Sequence, residues 1–88
     1  MKIKEGFLLR EIADTHVVIP VAERVIDFKG MMLLNEVSAS VWEFLSEDRD
    51  YDAVLKHILE LYKVDEGTAR RDLNTLIEQM QASGVLEQ

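Results

Sequence analysis

Two hydrophobic periods divide this chain. Up to residue 34 the apolar residues come in short runs rich in Val and Ile, and from residue 35 they recur at spacings of three and four. Residues 7–13 (FLLREIA) and 16–21 (HVVIPV) flank the polar pair Asp14-Thr15, which predicts a β-hairpin. Pro20 lacks an amide donor and so belongs at a strand end or on an edge. Residues 22–30 (AERVIDFKG) mix charges with single apolar residues and finish in Gly30, as a connection does. The run Met31-Met32-Leu33-Leu34 is too brief for a helix, lies between Gly30 and Asn35, and predicts a third strand.

Three amphipathic helices are expected next. Asn35 is placed to cap the first, whose apolar positions are Val37, Val41, Trp42, Phe44 and Leu45. Asp50 caps the second, with Tyr51, Val54, Leu55, Ile58, Leu61 and Tyr62 on its apolar face. Asp65 caps the third, with Ala69, Leu73, Leu76, Ile77 and Met80 on one face and Gly84 placed to end it. Val85 and Leu86 then return an apolar pair to the core. The order is β-β-β-α-α-α, a single α+β domain over residues 1–88, with Trp42 and Leu45 as core residues.

At 88 residues and 10.1 kDa there is no room for a second domain. A composition of 48% hydrophobic and 31% charged residues is that of a globular protein. No stretch approaches the roughly 20 apolar residues that span a bilayer, no signal peptide is legible, and cysteine is absent. These features lead to the expectation of a cytoplasmic protein with no membrane partner. The net charge is −7, and since residues 1–30 are neutral, the whole excess lies in residues 31–88. A helical half this acidic repels phosphate backbones, so no nucleic-acid partner is expected.

Catalytic and metal-binding patterns are missing from the sequence. His16 and His57 have no partner at metal or nucleophile spacing, and Ser38 and Ser40 stand outside any G-x-S-x-G elbow. The glycines form neither a dinucleotide fingerprint nor a P-loop. Residues 47–52 (EDRDYD) open like a calcium loop, but Ala53 and Leu59 occupy the positions that need Gly and a carboxylate. No enzyme activity, cofactor or metal is therefore expected.

Two features are left. Met31 and Met32 suit either a core or a surface that accepts varied apolar partners. A short three-stranded sheet also has edges, which are either covered or available to another chain. On the third helix, Arg70, Asn74, Ile77 and Gln81 form one flank of the core stripe, with Arg71 pointing further out. That flank is either the wall of a peptide groove or a solvated surface with Arg70 paired to Glu66.

The segment from Gly30 to Leu45 (GMMLLNEVSASVWEFL) resembles the L-N-x-x-[small]-x-x-[I/V]-W-x-x-L signature of PqqD-like proteins, with Leu34, Asn35, Val41, Trp42 and Leu45 among the matching residues and Ala39 in its small-residue stretch. The resemblance continues through Val54-Leu55, Ile58, Leu59, Tyr62, Val64-Asp65, Arg71-Asp72-Leu73, Leu76-Ile77 and Gly84-Val85-Leu86. It implies a winged-helix-like fold, a three-stranded antiparallel sheet followed by three helices. It also implies a non-catalytic recognition protein for ribosomally made, modified peptides, which takes a precursor's leader segment as an added strand. Its partners would be that precursor and a modifying enzyme, such as a radical S-adenosylmethionine maturase or a leader peptidase. The implied site is Met31, Met32, Leu33 and Leu34 on the third strand, faced by Arg70, Arg71, Asn74 and Ile77 of the third helix. A small winged-helix transcriptional regulator is the alternative, which a more basic third helix would favour.

Overall fold

A computed structural model of the chain describes residues 1–21 and 32–87. The strands are β1 (Lys2–Ile3), β2 (Phe7–Ile12), β3 (Thr15–Pro20), β4 (Met32–Leu34) and β5 (Leu86–Glu87), and the helices are α1 (Glu36–Phe44), α2 (Tyr51–Leu61) and α3 (Glu66–Ser83). Strands β2, β3 and β4 form one antiparallel sheet in that order, and the three helices follow it. The α+β arrangement is the expected one. Met31 and the connection at residues 22–30 lie outside the described residues.

The hairpin differs from expectation by one residue. Ile12 pairs with Thr15, so the connecting pair is Ala13-Asp14 rather than Asp14-Thr15. Both turn residues have positive φ, 50° and 66°, as a type I′ turn requires, and such a turn matches the twist of the strands it joins. Asp14 tolerates this conformation, whereas Ala13 has no side-chain feature that announces it. Pro20 closes β3 opposite Phe7, beyond the residues of β3 that pair with the described part of β4, as a residue without an amide donor suits a strand end.

A second sheet joins the chain ends, beyond the elements that the hydrophobic pattern predicts. β1 and β5 pair antiparallel, Ile3 opposite Leu86, and the Lys4 amide donates to the Val85 carbonyl at 2.8 Å. Val85 and Leu86 thus return to the core as one side of a clasp.

All three expected N-caps form. The carboxamide oxygen of Asn35 accepts from the Ser38 amide, and carboxylate oxygens of Asp50 and Asp65 accept from Ala53 and Thr68, each at 2.8 Å. Gly84 ends α3 in the left-handed region with φ 73°, where a side chain would be strained. The helices bury Ala39, Val41, Trp42 and Leu45, then Val54, Leu55 and Ile58, then Ala69, Leu73, Leu76 and Met80. Together with Val18, Met32 and Leu34 from the sheet these residues form one core. Leu61 departs from the expected face and is 59% exposed, on the flank of α2 that carries Ala53, His57 and Glu60, while Ile58 stays buried.

The Asp65 cap sets part of the acid response. Its carboxyl is held below the ordinary carboxylate value, chiefly by the Thr68 amide and then by the Thr68 hydroxyl. A carboxyl whose folded value lies below its unfolded value stabilises fully above the unfolded value, and loses that effect as the pH falls through the folded one. Stability should therefore decline on acidification below about pH 4. Asp65→Ala should be less stable at neutral pH and decline less steeply in acid, as read from urea unfolding over a pH series. An equally steep decline in the variant would assign the acid response to other groups.

Candidate functional site

β4 is an edge strand among the described residues: β3 pairs with one side of it and nothing with the other. Met32 and Leu34 turn inward and are buried, while Leu33 turns outward and is 60% exposed. An exposed apolar residue on an unpaired edge is a feature that solitary domains usually suppress with charge, proline or a covering loop.

A hollow of about 290 Å³ opens directly after β4, beginning at Asn35. Its floor is apolar, from Val37 and Val41 of α1, Ile58 of α2 and Leu73 and Leu76 of α3, with Val64 and Ala69 at one end. Its rim is polar, from Asn35 and Ser38 on one side and Asp72, Thr75 and Gln79 on the other. At the Asn35 cap the chain passes from strand to helix, and Asn35 lines the hollow together with Asp72 and Gln79 of α3. Edge strand and hollow together offer backbone groups for pairing and an apolar recess for a side chain.

The structure divides the expected site residues. Met32, Leu33 and Leu34 occupy the edge strand. Arg70 and Asn74 lie on the flank of α3 that faces α2, not on the flank that lines the hollow. The Tyr51 hydroxyl donates to the Asn74 carboxamide oxygen at 2.8 Å, and the Arg70 guanidinium lies 6.0 Å from the centre of the Tyr51 ring. Arg70 also pairs with Glu66 at 2.9 Å, the solvated-flank alternative drawn from the sequence. Ile77 on the same flank is half-buried against the core. Arg71 points to solvent, its Nε 3.9 Å from Asp72. The hollow-side residues Asp72, Thr75 and Gln79 carry no distinguishing mark in the sequence, because a core stripe has two flanks and periodicity ranks neither.

His57 has a partner that the sequence does not reveal. Its Nε2 lies 2.8 Å from the Ser40 hydroxyl, and its ring stacks on Phe44 with centroids 4.2 Å apart. Arg49 lies 4.5 Å from the centre of the same Phe44 ring. A serine bonded to a histidine is the pairing of a nucleophilic dyad. Activation would also need a group to orient the imidazole and donors for an oxyanion, and Ser40 sits mid-helix, where backbone amides are committed to helical bonds. The pair instead joins α1 to α2. His16 stands in the sheet opposite Glu11 and Leu34. Asp48 accepts from the terminal amine and Asp50 caps α2, which accounts for two of the acids in the calcium-like run. Among the described residues no cluster of three His, Cys, Asp or Glu side chains is arranged to hold a metal, and no helix is long and apolar enough to cross a membrane.

The family model described as coenzyme PQQ synthesis protein D (PqqD) matches residues 15–86. No curated protein matches the chain. Among solved structures, that of TbiB1 in complex with the TbiA(beta) leader peptide is similar, with a TM-score of 0.74 and 24% identity over 99% of this chain and 95% of that one. At that identity the likeness concerns the fold.

Proposed function

The chain belongs to the PqqD family, and from that premise we propose that it is a non-catalytic recognition protein for the leader segment of a ribosomally synthesised precursor peptide. The leader adds as a strand to the free edge of β4, and the bound precursor is presented to a separate modifying enzyme such as a radical S-adenosylmethionine maturase or a leader peptidase. The observation that carries this reading is the edge at Met32–Leu34, unpaired among the described residues and running into an open, apolar-floored hollow. A peptide laid along that edge satisfies its backbone on β4 and turns alternate side chains to one face of the sheet. TbiB1, which shares the fold, forms a complex with a leader peptide, and this supports the same use of the fold here.

Capture needs no chemistry from the chain itself. A tethered precursor raises the local concentration of its modifiable segment at the enzyme, and the gain follows from tethering alone. A cytoplasmic location suits a chain that has no cysteine and acts before any export of the product.

The test is a titration of the isotope-labelled chain with the leader of a precursor encoded beside it. Backbone amide shifts should cluster on residues 32–38 and 72–79. Shifts confined to α2 or to the β2–β3 hairpin would place the ligand elsewhere and remove the reading.

A further inference from the structure

We propose that the cleft is charge-selective: it favours leaders carrying a lysine or arginine near the apolar side chain that fills the hollow, with Asp72 as the specificity-determining residue. This rests on the leader-binding reading of the same site. It reverses the preference expected if Arg70 and Arg71 were the groups facing the peptide.

The first ground is the composition of the rim. Of the described residues that line the hollow, Asp72 is the one that carries a charge. Two polar neighbours are already engaged: the Asn35 carboxamide oxygen accepts from the Ser38 amide at 2.8 Å, and the Thr75 hydroxyl donates to the Arg71 carbonyl at 3.1 Å. Asp72 is held only loosely. Arg71 Nε stands 3.9 Å away, beyond hydrogen-bond distance, and both side chains are mostly exposed. A ligand cation can displace so weak a contact at little cost.

The second ground is where the cations of α3 lie. Arg70 is committed to Glu66 and to the Tyr51 side of the helix. An acidic leader residue entering the hollow meets Asp72 and, among the described residues, no lining cation. The wider field has the same sign, since the net charge is −7 and all of it belongs to residues 31–88. Such a field draws basic segments toward the cleft and slows acidic ones.

The third ground is strand geometry. In an extended chain the next side chain on the same face is two residues on, about 7 Å away. With one apolar side chain seated on the floor, that neighbour comes to the rim, and the long stem of a lysine or arginine lets its charge reach a carboxylate there.

Short fluorescein-labelled peptide pools provide the test. Each pool has a fixed central leucine, with lysine, glutamine or glutamate at the positions two before and two after it, and mixed Ser, Thr and Val elsewhere. Anisotropy with the full chain should rank lysine above glutamine above glutamate, with lysine over glutamate by about fivefold or more at low salt. The ratio should shrink as salt is raised. Asp72→Asn should bring the lysine and glutamine pools together, and Asp72→Lys should invert the order. Arg70→Glu should leave the order intact. Asp72 is an exposed helical residue, and matching melting curves would establish that its variants fold. Equal binding of the lysine and glutamate pools, an unchanged preference in Asp72→Asn, or no binding of the lysine pool would each overturn the proposal. Equal binding accompanied by amide shifts on residues 32–38 and 72–79 would discard the charge preference and leave the leader reading standing; the absence of shifts there with the encoded precursor's leader would discard both.

Discussion

Trp42→Ala should lower the protein's melting temperature by well over ten degrees. Trp42 is 6% exposed and its indole meets the Phe7 ring edge-on, with centroids 6.4 Å apart and planes at 87°. It thereby fastens α1 to β2, and with them the helix that carries Val37 and Val41 to the floor of the hollow. Truncating a buried tryptophan costs about 3–5 kcal/mol, from lost apolar contact and from the cavity that remains. A domain of this size commonly has only about 5–15 kcal/mol to lose, and each kcal/mol is worth about 4–8 °C. Trp42→Phe keeps an aromatic ring against Phe7 and should lose markedly less. Thermal unfolding followed by far-ultraviolet circular dichroism distinguishes these outcomes. A melting temperature unchanged in Trp42→Ala would mean that the indole does not join helix to sheet.

That residue shows what the sequence makes legible. Trp42 lies in a run whose period is helical, between a capping Asn35 and a polar turn, so both its element and its inward face follow from spacing. Asp50, Asp65 and Gly84 mark helix ends for the same reason: a cap is a local interaction, written within a few residues of the terminus it serves. The unread parts depend on neighbours distant in the chain. β1 and β5 are two residues each, too short to show a period, and they exist because one chain end meets the other. Ser40 and His57 are 17 residues apart on different helices, and only the packing of α1 on α2 brings them together.

The site divides along the same line. The edge strand is legible, since a short apolar run after Gly30 and before a helix cap has little else to be. Which flank of α3 borders the hollow is not. Arg70 and Asp72 are both one step off the core stripe, on opposite sides of it. The choice between them is made by Tyr51, whose hydroxyl takes Asn74 and whose ring lies beside Arg70, so that flank is turned toward α2. Asp72, Thr75 and Gln79 are left to the hollow.

If the leader binds by strand addition, blocking its backbone should weaken binding with a period of two. In an antiparallel ladder a residue directs both its N–H and its C=O to one neighbouring strand, and the next residue directs them to the other side. A leader added to β4 therefore bonds to it through alternate residues only. Methylating one of those amide nitrogens removes a donor, leaves a β4 carbonyl without its partner, and places a methyl group between the strands. An unmet partner costs about 1–3 kcal/mol, or roughly fivefold to a hundredfold in affinity. The intervening amides face away from β4, so methylating them should cost little by comparison. Side-chain truncation of the leader should show its own alternation: residues turned toward the floor of Val37, Val41, Leu73 and Leu76 should be sensitive, and those on the opposite face tolerant. Isothermal titration with a singly methylated series of the leader measures the first pattern and an alanine series the second. A helical ligand seated in the same hollow would instead show sensitivity every three to four residues, and that period would remove β4 from the interface while keeping the hollow.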